Sequence, residues 1–576
     1  MTPALRTVDT DILILGSGGA GLFAALHAKK TAPELEVTVA VKGLLGKCGC
    51  TRMVQGGYNV ALAPGDSVER HFMDTIEGGK WLNDQDLAWT LVTEAQIRIR
   101  ELESELGCFF DRNPDGTVHQ KAFAGQTFDR TVHKGDLTGI EIINRLSEQV
   151  WRRDVKRLED HRALELIPAA DGSGLSGVLM LDMRSGEPLF VRAKATLLAT
   201  GGGPTMYKYH TPSGDKSCDG LAMALRAGLP LRDMEMVQFH PTGLLAGPDT
   251  RMTGTVLEEG LRGAGGYLLD GGRERFMHLY DPRNERATRD IVSRSIIRRI
   301  RDGHATENGG VYIQMSHLGP EKVRKEFKGM VERCADCGFD LAAGLVEVIP
   351  TAHYMMGGVA FGGDCRTELP RLYAAGEDTG GVHGANRLGG NGVANSTVFG
   401  GVAGKAMASA VSREGSRADP DPAAIEQGLA RCFGPLGRPS GELGAIREAL
   451  YETMWADAGI LRDAAGLQRA ENALAGLVDA VARSGAPDGD RRYNLTWMDR
   501  LNLESLVAVS RAICAAALAR TDSRGAHFRE DFPETSDLAT SRYTVVRERS
   551  GALQVATEPV VFTRVRPGQS LLDEAA

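Results

Sequence analysis

The sequence predicts an α/β protein: a Rossmann-type nucleotide-binding domain, an α+β capping domain inserted into it, a C-terminal helical bundle and a small β-rich tail. Three observations carry this. A buried-strand pattern near the N-terminus runs straight into a glycine-rich turn and a helix, two further strand-to-glycine junctions lie far along the chain, and apolar periodicity becomes helical from about 420 to 520.

Asp11 to Leu15 (DILIL) reads as a buried strand, Gly16-Ser17-Gly18-Gly19-Ala20-Gly21 as a tight turn, LFAALHAKK as a helix, and Val37 to Val41 as a second strand. That context gives a GxGxxG pattern its meaning: the glycines let backbone approach a pyrophosphate at a helix N-terminus. Ala195 to Thr200 (ATLLAT) runs into Gly201-Gly202-Gly203, and a third glycine-rich block spans Leu372 to Gly404, opening with LYAAGED. The nucleotide domain is therefore expected in two parts, 1–235 and 350–415, around a capping domain at 236–349. A helical domain at 416–525 follows from IREALYETMWADAGI, AENALAGLVDAVARS and LESLVAVSRAICAAALART, separated by joints such as GRPSGELG and GAPDGDRR. The tail, 526–576, alternates apolar and polar residues in YTVV, ALQV and PVVF.

A chain of 576 residues is too long for one core. Its 71 glycines, about 12% against an average near 7%, cluster in short motifs, as expected where backbone closes on a ligand. A net charge of −8 gives no footprint for nucleic acid and no basic face for a membrane surface. Met1 to Thr10 shows no apolar leader, and no apolar run approaches the roughly 20 residues of a membrane span, so a cytoplasmic chain without a span of its own is expected. Nine scattered cysteines fit a reducing compartment. Cys334 and Cys337, the one CxxC, read as ordinary thiols, and no metal site is expected.

The cofactor reads as FAD rather than NAD. An NAD-binding fold closes its second strand with an acidic residue, and here Val41-Lys42 stands there. The loop from Gly49 to Gly57 follows that strand, where flavin-contacting loops lie, and Glu377 with its glycine block supplies a second wall.

Longer motifs then carry a resemblance: QGG at 55–57, DTIEGGKWLNDQD from Asp74, FAGQ from Phe123, DMEMVQFHPTG from Asp233, EGLRGAGGYLL from Glu259, RDIVSRSI from Arg289, PTAHYMMGG from Pro350, HGANRLGGN from His383 and RGAHFREDFP from Arg524. In this order they resemble the succinate dehydrogenase and fumarate reductase flavoprotein subunit family, which includes L-aspartate oxidases. The resemblance implies an FAD site formed by Gly16, Ser17, Gly18, Gly19, Ala20, Gly21, Lys42, Cys50, Thr51, Gln55, Gly56, Gly57, Thr200, Gly201, Asp219, Tyr354, Glu377, Arg387, Gly392 and Val393. Respiratory members attach FAD through a histidine five residues before the QGG glutamine. Cys50 stands at that place, which implies non-covalent FAD.

The implied reaction is hydride transfer between flavin N5 and a carbon of a small carboxylate, at a CH–CH bond, with succinate and fumarate as the default pair. His240 and His353 would hydrogen-bond one substrate carboxylate and Arg387 would clamp a carboxylate bidentately. Arg289 matches the family's proton-shuttling arginine, with Glu259 and Asp290 relaying the proton outward. A guanidinium is a very poor acid, but the carbon acid it serves is weaker still. Phe123 and Gln126 would line the substrate wall, and Asp136 reads as structural. Glu258 stands where the family usually has threonine, so a carboxyl replaces a hydroxyl that faces a substrate carboxylate. Three resolutions are open: a protonated Glu258, one neutralised by a neighbour such as Arg262, or one that reads a cationic group on another substrate. The last leaves an aspartate-oxidase-like reaction, or a dehydrogenase for a different carboxylate, as the alternative. The resemblance also implies an iron–sulfur subunit or other electron carrier as partner, through which the chain would sit at the periphery of the inner membrane; the cysteines here form no cluster-binding set.

Overall fold

The structure is a computed structural model that describes residues 5–573 apart from 248, 249, 251, 414 and 415. Residues 1–4 of the N-terminal segment and the expected boundary residue 415 lie outside the described residues.

The strand Arg6–Leu15 is buried from Ile12 onward because it lies in the middle of a sheet, parallel to Val37–Val41 on one side and to Glu187–Leu198 on the other. A strand covered on both faces needs a continuous apolar run, and ILIL is one. Val155–Glu159 extends the parallel side, while His161–Pro168 and Leu175–Asp182 form an antiparallel meander with Glu187–Leu198. Leu372–Ala374 returns after 173 intervening residues to pair in parallel with Thr196–Leu198, completing seven strands.

The intervening chain builds an antiparallel sheet in the order Val237–Leu244, Leu345–Met355, Val311–Gln314, Tyr267–Leu269. Helix Arg289–Arg299 lies against its first strand, where Ser293 Oγ donates to the Phe239 carbonyl. This arrangement brings His240, His353 and Arg289 to one edge of the nucleotide domain.

Two helices lock that domain. Gly19–Thr31 and Asn391–Val411 approach so closely that a Cβ on Gly404 would stand 2.2 Å from the Ala24 carbonyl oxygen, and one on Gly400 2.5 Å from that of Ala20. The contact fixes the N-terminus of the second helix, with Gly392 and Val393, opposite the glycine turn.

Four helices follow, Pro422–Phe433, Leu443–Asp457, Ala464–Arg483 and Leu495–Ala519. The last corrects the reading of apolar runs: by length and composition it is apolar enough to cross a membrane, with a mean hydropathy of 1.5 over its best window. In the fold 67% of that window is buried, with Leu503, Leu506, Val509 and Ile513 fully enclosed among the other helices and strands. The tail forms a hairpin, Arg542–Arg549 with Ala552–Pro559, whose first strand pairs with Leu231–Arg232 of the nucleotide domain.

The helix–helix contact generates a prediction. Gly404→Ala pushes a methyl group into backbone that cannot rotate away, so it should cost about 1–3 kcal/mol and lower the urea midpoint of the holoprotein. An unchanged midpoint would show that the two helices separate freely.

Candidate active site

One large cleft, about 1810 Å³ including its solvent-filled mouth, runs from the glycine turn to the antiparallel sheet. Its nucleotide end starts at Gly16, which has φ +112 and would place a Cβ 2.1 Å from the Ala199 carbonyl oxygen, so the turn tolerates only glycine. Gly18 caps helix Gly19–Thr31 without a side chain, and Gly19 N donates to Thr51 Oγ1. A helix N-terminus open to a cleft favours an anionic group.

Lys42 and Asp219 form the next wall. Lys42 Nζ donates to Ser217 Oγ (3.0 Å) and Asp219 Oδ2 (3.1 Å), and Arg162 Nη2 reaches Asp219 Oδ1 at 2.8 Å. Burial opposes ionisation of Asp219, but the Arg162 and Lys42 charges hold its carboxyl well below the usual range. On the opposite wall Glu377 Oε1 accepts from Met355 N (3.0 Å) and Gly203 N (3.3 Å), and burial pushes its carboxyl up to about 7. Asp378 beneath it accepts from Thr200 Oγ1 and Gly201 N, positioning that strand end.

At the far end two guanidiniums converge on one amide. Gln238 Oε1 accepts from Arg289 Nη1 and from Arg387 Nη2, both at 3.0 Å, while Gln238 Nε2 donates to Asn386 Oδ1 and the Arg387 carbonyl. Arg289 Nη2 also donates to Glu259 Oε2 at 2.6 Å, and Arg262 Nη2 lies 3.4 Å from the other oxygen of that carboxylate. Burial opposes the Glu259 charge, yet Arg289 and Arg262 keep its carboxyl below its ordinary value. Burial and the neighbouring Arg289 lower Arg387 to about 10, and its buried Nε has no hydrogen-bond partner. An unpaired buried guanidinium nitrogen is costly, and an anionic ligand in the cleft would satisfy it.

His240 and His353 face this pair, with ring centroids 5.4 Å apart. Burial, with Arg289 adding to it, drives both imidazoles well below their ordinary value, so they are neutral. His240 Nδ1 accepts from Thr242 N at 3.3 Å. A backbone N–H only donates, so the ring proton sits on Nε2.

Nearly every site residue expected from the sequence lines this cleft: Gly16, Ser17, Gly18, Gly19, Ala20, Lys42, Cys50, Thr51, Gln55, Gly56, Gly57, Phe123, Thr200, Gly201, Asp219, His240, Glu258, Glu259, Arg289, His353, Tyr354, Glu377, Arg387, Gly392 and Val393. Four expectations are corrected. Gly21 does not line it; a Cβ there would lie 2.0 Å from the Gly16 carbonyl oxygen, so this glycine lets the helix sit on the turn. Gln126 lies behind the wall, its Nε2 holding the Gly389 carbonyl at 3.1 Å. Asp290 makes no bond to Glu259 and faces Arg294 at 3.8 Å. Arg262 pairs with Glu259, not Glu258, whose partner is Lys121. Sequence reasoning missed Gln238, Lys121, Lys216 and Ser396. Only Gln238 was within reach, two residues before His240 on a strand and so on the same face.

Fold and cleft together define an FAD-dependent oxidoreductase. Residues 11–393 match the FAD binding domain family and residues 447–571 the fumarate reductase flavoprotein C-terminal family. The chain is 42% identical over 533 residues to one subunit of the fumarate reductase (CoM/CoB) of Methanothermobacter marburgensis, covering 92% of this chain and 95% of that protein. It is 34% identical over 588 residues to the fumarate reductase flavoprotein subunit of Mycobacterium tuberculosis, covering 98% and 99%. A solved E. coli quinol fumarate reductase chain superposes with a TM-score of 0.91 at 32% identity over 98% of this chain and 99% of that one. The chain belongs to the succinate dehydrogenase and fumarate reductase flavoprotein family.

The Asp219 contacts predict the effect of removing its charge. Asp219→Asn leaves Arg162 and Lys42 without a counter-ion in the cleft wall, a change of several kcal/mol. The purified variant should lose most of its flavin, read as visible absorbance per protein. Full flavin content with unchanged thermal stability would remove Asp219 from the cofactor wall.

Proposed function

We propose that this chain interconverts fumarate and succinate. The observation that carries the reading is the buried pair Arg289 and Arg387 on the Gln238 amide oxygen, with the unpaired Arg387 Nε and two neutral histidines opposite, in the same cleft as the cofactor wall. FAD, when held along the cleft wall from Gly16 and Lys42 to Glu377 and Gly392, would supply two-electron hydride chemistry. Arg387 holds one substrate carboxylate, and His240 Nε2–H and His353 donate to the other. Neutral histidines suit this task because they donate hydrogen bonds without titrating near neutral pH. Twisting a carboxylate out of the alkene plane polarises the double bond toward hydride at one carbon.

Arg289 holds the proton that the other carbon receives. Glu259 orients that guanidinium through two contacts to one oxygen, at 3.1 and 2.6 Å, and touches Arg262 through its other oxygen. The relay therefore runs Arg289, Glu259, Arg262, with the proton restored from Arg262 outward. Phe123, buried against Gly56, closes the wall against water. Fumarate, one hydride and one proton give succinate; the reverse returns both.

FAD is held without a covalent bond to Cys50. Desolvation in the cleft wall, with Glu377 adding to it, pushes that thiol up to about 12, which disfavours the thiolate that a link to the flavin would need. Electrons reach or leave the site through a partner protein, as the naming of its relatives as subunits supports. An aspartate-oxidase-like reaction needs a Glu258 free to read an ammonium group, and its bond to Lys121 favours the dicarboxylate reading over it.

Anaerobically reduced enzyme mixed with fumarate should regain its oxidised flavin spectrum rapidly, and no return of the spectrum would overturn the reading. Arg289→Lys should keep FAD yet lower turnover by about 10²- to 10⁴-fold, the usual contribution of a positioned acid; near-native turnover would remove Arg289 from the proton path. Acid precipitation should leave the flavin in the supernatant, whereas flavin retained on the denatured chain would establish a link.

A further inference from the structure

Glu258 is buried in the wall of the cleft, one residue from Glu259. Its Oε1 is bonded to Lys121 Nζ, which reaches it from the short strand Gln120–Lys121, and among the described residues its Oε2 has no hydrogen bond. The same ammonium lies 5.7 Å from the ring centroid of Phe123, the aromatic side of that wall. The Glu258 backbone N–H points away, to Met330 Sδ on helix Lys328–Ala335. A buried carboxylate beside a bound dicarboxylate repels it, the more strongly the lower the local dielectric. Lys121 is placed to cancel that charge.

We propose that Lys121 and Glu258 act as one charge-neutral unit that makes the substrate end of the cleft selective for doubly charged carboxylates. The inference rests on the dicarboxylate reading above. Arg262, Arg289, Arg387 and Lys121 stand against Glu258, bonded to Lys121, and Glu259, shared by Arg289 and Arg262, which leaves this cluster two positive charges in excess. Two positive charges match a dicarboxylate dianion. Without Lys121 the end carries one, and it suits a monoanion or a substrate with a protonated arm. Lys121 touches no reacting atom; it is a positioning and specificity residue acting through Glu258.

Malonate, a dicarboxylate that cannot be oxidised at a CH–CH bond, isolates binding from turnover. Its dissociation constant is read from the flavin spectrum of native holoenzyme, Lys121→Met, Glu258→Gln and the double variant. Lys121→Met should bind malonate about 30-fold or more weakly at mildly alkaline pH, the lower end of the loss when one partner of a buried charge pair is removed. The double variant should return to within about threefold of native, since removing both partners leaves no stranded charge. Loss in Lys121→Met should also shrink as pH falls. Glu258 already has its carboxyl raised by burial, with Lys121 opposing and Asp136 and Glu259 adding to the rise, while Arg333 on the Met330 helix is engaged with the Val256 carbonyl. Without Lys121, proton uptake by Glu258 is the remaining way to lose its charge. A merely structural Lys121 gives neither the rescue nor the pH dependence. Native-like binding by Lys121→Met, or a double variant no better than it, overturns the role of the pair. Native enzyme that retains flavin yet ignores malonate and succinate at every pH overturns the dicarboxylate reading itself, and the pair's role with it.

Discussion

Two like charges held side by side away from water are the constraint around which this molecule is arranged. Arg289 and Arg387 both donate to the single oxygen of Gln238, and nothing in a dry cleft would keep two guanidiniums together without such an acceptor. Gln238 is itself anchored by Asn386 and by the carbonyl of Arg387, so the amide cannot turn over. Glu259 takes the rest of the charge on the Arg289 side. On the Arg387 side the Tyr354 ring lies under the guanidinium, 4.4 Å from its carbon. Arg387 Nε is left without a hydrogen-bond partner, which makes this corner suited to an anionic ligand.

The scaffold explains why these groups meet. Gln238 and His240 lie on one face of the strand Val237–Leu244, and the strand Leu345–Met355 beside it brings His353. Arg289 opens the helix packed across that strand, and Arg387 precedes the helix locked against Gly19–Thr31. Gln238, His240, His353 and Arg289 thus stand on strands or a helix, while Arg387 sits in the short loop just before the helix Asn391–Val411. Gly389 completes the fit by omission, since a Cβ there would press on Glu259 Oε2 and Phe123 at 2.7 Å.

Much of this was legible in the sequence because the signals are local. A strand, turn and helix within 31 residues, or a histidine and arginine each inside a distinctive stretch, need no knowledge of distant contacts. The unread parts are pairings between remote positions. Lys121 and Glu258 are 137 residues apart, and neither carries a periodic signal that points to the other. The two-residue strand Leu231–Arg232, which receives the tail, is too short for any alternation to register. The helix Leu495–Ala519 was expected as part of the helical domain, but its length in apolar residues was not, because they are interrupted by single polar ones such as Arg511, which the packed environment accommodates. The Asp290 and Gln126 expectations failed for a related reason. Spacing places a residue on an element, but which neighbour its side chain meets is decided by elements that arrive from elsewhere.

The split of the nucleotide domain has a consequence for how the protein is made. The turn at Gly16 emerges from the ribosome first, but the strand Leu372–Ala374 and the Glu377 and Gly392 walls that close the cleft are synthesised hundreds of residues later. The hairpin at 542–559 comes later still, and only then is the sheet at Leu231–Arg232 complete. The cleft therefore cannot be complete until Glu377, Gly392 and the helix behind them have been made, long after the glycine turn. Premature termination anywhere before that hairpin would release a chain with an open sheet edge, which invites aggregation and clearance rather than partial activity.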